Sequence, residues 1–113
     1  MNLVNLTPHV VTLVTPEGEL TIPPSGTLAR VAEVATPRGV ITVDGVEIPI
    51  VAKRFGQIEN LPEPQPDTIF IVSALVAQAA WSMGRTDVAC PGDPVRNDAG
   101  QVIGARSLCV APS

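Results

Sequence analysis

The chain has 113 residues, 45% of them apolar, which suits one domain with a single modest core. Its 7 basic and 11 acidic side chains leave a formal charge of −4, the wrong sign for gripping the phosphate backbone of a long nucleic acid, although a few clustered arginines suffice for a small anion. No window reaches the roughly 18 uninterrupted apolar residues of a membrane span, and the start MNLVNLTPHV has neither the basic nor the long apolar segment of an export signal, so a soluble cytoplasmic protein is expected.

Two Phe, one Trp and no Tyr leave the core to aliphatic side chains. Residues 2–6 and 10–14 are β-rich, and TPEGE followed by LTI supplies the turn and return strand of a first hairpin. Pro23, Pro24 and Gly26 make IPPSGTLA a turn at a sheet edge, after which RVAEVA becomes extended again. GVITV, Asp44-Gly45 and VEIPIV predict a second hairpin, because Asp-Gly tolerates the two positive φ angles of a type I′ turn. KRFGQIENLPEPQPDT is polar, and its alternating Pro62, Pro64 and Pro66 predict a surface connector, proline-rich over residues 59–67, inside a single domain 1–113.

TIFIV, residues 68–72, reads as a buried strand. SALVAQAAWSMG predicts the one main α-helix at about residues 73–83, with Ser73 as N-cap and Gly84 as stop. Leu75, Val76, Ala79 and Ala80 would face the sheet, Gln78 and Ser82 solvent, and Trp81 would pack at the helix end. DVAC, PVR and QVIGARSLCV read as short strands around an Asp98-Ala99-Gly100 turn. The expected fold is α+β, a mostly antiparallel β-sheet built from hairpins and carrying one helix.

The sequence offers little catalytic chemistry. His9 is the sole histidine and has no nucleophile or metal-ligand partner at a recognisable spacing, which reads as a strand-edge or packing residue. No G-x-S-x-G, P-loop, G-x-G-x-x-G or H-E-x-x-H motif occurs. Cys90 and Cys109 are too far apart for a C-x-x-C motif and lack a His or Cys cluster; two free thiols are expected, with a disulfide geometrically open. No metal, cofactor or enzymatic activity is therefore expected, and binding is the favoured class.

The arginines carry that expectation, since a guanidinium gives two parallel hydrogen bonds to a phosphate or a base edge. Arg30, Arg54 beside Phe55, Arg96 and Arg106 are the candidates, with Phe55 and Phe70 as stacking faces. Each has a plainer reading: Phe70 within TIFIV as core, Arg54-Phe55 as a solvated strand end, Arg96 with Asp98 as a local pair bracing the turn. Arg85 with Asp87 reads as a structural pair fixing the helix exit, which leaves Arg96 and Asp98 as the better anion-facing couple.

Taken in order, NLTPHVVTLV, PPSGTLARV, FGQIENLPEPQPDTIFIVSALVAQAA, RTDVACPG and VRNDAGQVIGARSL resemble the type 1 Thoeris anti-defence family of phage proteins, which sequester cyclic ADP-ribose isomers that signal infection. The resemblance covers nearly the whole chain. It implies an α+β homo-oligomer, a dimer or higher such as a hexamer, that holds a cyclic ADP-ribose isomer intact in the cytoplasm of the infected bacterial host, and in some members cyclic di- or trinucleotides at a second interface. Carried to this chain, it assigns phosphate and ribose contacts to Arg96 and Arg54, base stacking to Phe70 and hydroxyl hydrogen bonding to Asp98; Arg106 and Arg30 are the less firmly placed additions. A small virion decoration protein and a nucleotide hydrolase are the alternatives.

Overall fold

A computed structural model describes residues 1–112. Its strands are β1 (Asn2–Asn5), β2 (Val11–Thr15), β3 (Gly18–Ile22), β4 (Arg30–Val43), β5 (Val46–Glu59), β6 (Thr68–Ile71), β7 (Val88–Arg96) and β8 (Val102–Cys109), with one helix, α1 (Ala74–Ser82), between β6 and β7. Strand accounts for over half of the chain (56%), so the molecule is broadly α+β.

Six strands form one sheet in the order β1-β6-β7-β8-β2-β3, and β4 and β5 pair only with each other. The sheet is mixed and not purely antiparallel, although its antiparallel ladders are the longer ones. β2–β3 and β7–β8 are the antiparallel hairpins read from the sequence, whereas β1–β6, β6–β7 and β2–β8 are parallel. The β6–β7 pairing follows from connectivity: β6, α1 and β7 make a crossover unit, which consecutive strands need in order to run in the same direction.

The sheet curls until its two ends meet. Asn5 in β1 is buried, and its Nδ2 donates to the carbonyls of Ile22 in β3 (3.0 Å) and His9 (2.8 Å), while Oδ1 accepts from the Thr7 amide and hydroxyl. The Ser25 amide also donates to the Asn5 carbonyl. Alternation then divides the apolar residues between two faces. Val11, Leu13, Ile22, Ile71 and Ala105 form one cluster; Leu6, Phe70, Val72, Val88 and Cys90 form the other, beneath α1.

The helix buries Val76, Ala77, Ala79 and Ala80. Ala77 thus takes the place expected for Leu75, which is exposed. Ser73 caps the first turn by accepting from the Val76 amide, and Gly84, at φ +90°, ends the helix. There the Arg85 amide bonds Ala80 O and the Gly84 amide bonds Trp81 O, the pairing of a Schellman motif, in which the left-handed residue is most cheaply a glycine. Trp81 packs beside this cluster and its Nε1 donates to Val88 O at 2.9 Å. Among the described residues no helix is long and apolar enough to cross a membrane.

β4 and β5 form an arm of two 14-residue strands joined by Asp44 (φ +52°) and Gly45 (φ +81°), the positive pair of a type I′ turn. KRFGQIE, expected in the connector, is the second half of β5, held by ladder pairing of Lys53, Arg54 and Phe55 with Ala35, Val34 and Glu33. The extended connector is therefore confined to residues 60–67. Val31 and Ile58 anchor the arm's base on the cluster beneath α1, and its outer part, residues 40–50, is exposed throughout. The radius of gyration is accordingly 17.6 Å, against about 13 Å for a compact chain of this length.

Candidate binding cleft and the arginines

A cleft of about 610 Å³ opens at one mouth of the curled sheet. It lies beyond the C-terminal ends of β1 and β6, where residues 7–10, Val72 and Ser73 meet the starting segments of β2 and β8 and the ring of Pro91. Beside it β2 and β8 are in parallel register at Leu13 and Ala105. Val10, Val102 and Ile103 give it an apolar wall exposed by more than half. Thr7, His9, Thr12 and Ser73 supply polar groups, and Asn5 fixes the loop that carries Thr7 and His9. Pockets of a few hundred Å³ with a mainly apolar lining and a few polar groups, at barrel mouths and at the C-terminal ends of parallel strands, are where small organic ligands bind.

The residues singled out from the sequence are not gathered there. Phe70 is 1% exposed and lies in the core under α1, so the plainer reading holds and its ring has no face open to a ligand in this chain. Arg54 lies midway along the arm, in a second depression of about 280 Å³ with Glu33, Lys53, Phe55, Leu75 and Gln78. Arg30 begins the arm opposite Glu59.

Arg96 ends β7 and uses Nη1 to hold Gly100 O at 2.8 Å, bracing the turn through a backbone carbonyl and not through Asp98. The turn is organised by Asn97, whose Oδ1 accepts from the Ala99 and Gln101 amides. Arg106 approaches Asp93 only to 3.8 Å, and both are exposed. Arg30, Arg54 and Arg96 have no carboxylate partner among the described residues. These guanidiniums are separate and largely uncommitted; no single chain unites them.

Arg85 and Asp87 form the structural pair expected of them. Nε and Nη2 of Arg85 reach the two carboxylate oxygens, each at 2.8 Å, and Nη2 also donates to Pro62 O at 2.9 Å. The hydrogen bonds from Arg85 hold the Asp87 carboxyl below its ordinary value, against the opposing effect of burial.

Sequence reasoning missed the cleft because its lining comes from four separated segments, residues 7–12, 72–73, 91 and 102–105. The one local hint was NLTPH, a polar loop held by the buried Asn5. No protein-family model, curated protein or solved structure matches the chain.

Proposed function

We propose that the chain sequesters a cyclic ADP-ribose-type signalling nucleotide without transforming it, as a homo-oligomer in the cytoplasm of an infected bacterial host. The observation that carries this reading is the cleft at the sheet mouth. Its volume suits a nucleotide, Val10, Val102 and Ile103 offer a wall for a base, and Thr7, His9 and Ser73 offer hydrogen bonds to ribose and phosphate.

The arginines fit the same reading only through assembly. Arg30 and Arg54 are on the arm and Arg96 and Arg106 on the β7–β8 hairpin, so an anion held between copies would draw them from different subunits. The outer arm supports assembly: Ile41, Val43, Val46, Ile48 and Ile50 share one face and all are exposed. That face equally suits a virion decoration protein, the second reading, which predicts co-sedimentation with capsids.

Calorimetry with a panel of cyclic ADP-ribose isomers, cyclic dinucleotides and cyclic trinucleotides tests the proposal. Wild-type protein should bind at least one member, Ile103→Asp should abolish that binding, and Arg54→Ala and Arg96→Ala should each weaken it by about tenfold or more, the loss of one charge-assisted contact. No binding heat with any member of the panel sinks the reading.

A further inference from the structure

We propose that Cys90 and Cys109 are a reversible disulfide site that clamps the β7–β8 hairpin. The two are direct partners in the antiparallel ladder, although eighteen residues separate them in sequence. Opposed residues in such a ladder have Cα atoms about 4.5–5.5 Å apart and side chains on the same face, inside the roughly 4.4–6.8 Å that a disulfide spans. The sulfur of Cys109 also leans over β7. A Cβ at Gly92, two residues from Cys90 on the same face, would come within 2.5 Å of Cys109 Sγ. Glycine at position 92 keeps that space open.

The two thiols are unequal, and this sets the order of the chemistry. Cys90 is buried and Cys109 exposed. Burial, reinforced by the facing Cys109, pushes the Cys90 thiol above its ordinary value. Cys109 therefore reacts first. It gives up its proton and its thiolate attacks one sulfur of a low-molecular-weight disulfide such as oxidised glutathione; the external S–S bond breaks, one thiolate leaves, and a mixed disulfide forms. Cys90 then loses its proton, attacks the Cys109 sulfur and expels the second thiolate. Two cysteine thiols are oxidised and one external disulfide is reduced to two thiols. The new bond closes a loop over residues 91–108, which contains Arg96 and the β8 wall of the cleft.

The inference is independent of what the cleft holds. Folded, fully reduced protein is equilibrated with oxidised glutathione, its thiols are counted with a chromogenic disulfide, and its intact mass is measured. Both thiols should disappear, the mass should fall by two hydrogens with no glutathione adduct, the chain should run as a monomer on a non-reducing gel, and dithiothreitol should restore both thiols. Cys90→Ala, which lacks the resolving thiol, should stop at a single adduct on Cys109. Cys109→Ala, altered at an exposed site, should keep the fold and leave Cys90 unreactive. A wild-type protein that retains both thiols, halts at an adduct on Cys109, or joins two chains through Cys109 overturns the proposal.

Discussion

Arg85 ties three parts of the chain with one guanidinium: the exit of α1, the start of β7 through Asp87, and the proline connector through Pro62 O. Both side chains of the ion pair are about four-fifths shielded, so truncation exposes a real loss (20% and 17% exposed). Arg85→Ala should destabilise the fold by about 1–3 kcal/mol in urea denaturation, since it removes charge-assisted hydrogen bonds and leaves Asp87 without its partner. The pair also gives a pH signature. With the folded carboxyl held below its ordinary value of 3.8, its contribution is complete above that pH and is lost as the pH falls toward the folded value. Asp87→Asn should therefore be less stable than the wild type above pH 3.8 and converge with it in stronger acid, and a variant whose profile overlays the wild type above pH 3.8 would contradict the role given to this pair.

At the level of elements, local chemistry was legible and long-range pairing was not. Asp44-Gly45, Ser73 and Gly84 announce a turn, a cap and a stop, and each is found where its backbone preference requires it. The parallel ladders left no such trace: β1 pairs with residues 68–71 across the whole arm, and no turn residue encodes that meeting. Phe70 illustrates the cost for the site. As one aromatic in TIFIV it suits either stacking or core, and only the burial of β6 between β1 and β7 decides for core. The prolines at 62, 64 and 66 likewise drew the connector too far back, because the ladder that holds Lys53, Arg54 and Phe55 comes from residues some twenty positions earlier. The cleft itself depends on one close approach. A Cβ at Gly104 would lie 3.1 Å from Thr12 O and 3.3 Å from Val14 Cγ2, so β8 can approach β2 there only without a side chain. Gly104→Val should push the strands apart and cost about 1–3 kcal/mol by thermal denaturation, with ligand affinity falling alongside stability; unchanged stability would mean that β2 is not held at this point.

The whole molecule is a curled sheet with an arm, and its surface chemistry is uneven. Nine of the seventeen large apolar side chains left exposed lie on β4 and β5, although a two-stranded ribbon is marginal in water by itself. Pro37 and Pro49 interrupt the donor rows of both arm strands, which favours association through the apolar face over edge-to-edge extension. Ile41→Glu combined with Ile48→Glu should weaken self-association roughly a hundredfold or more, from two buried side chains replaced by charges. Analytical ultracentrifugation should find the wild type as an oligomer and the double variant as an 11.8 kDa species, with the sheet's circular dichroism unchanged. A wild-type monomer at high concentration would remove the arm from the account.

The proposed function is retention of an intact small nucleotide. The direct measurement is to incubate the purified protein with the panel of cyclic ADP-ribose isomers and cyclic oligonucleotides, exchange away free ligand, denature the protein by heat, and weigh what is released. The account predicts one cyclic species, recovered at its original mass and in constant ratio to the protein. Recovery of nothing, or of a hydrolysed product that accumulates with time, would contradict it.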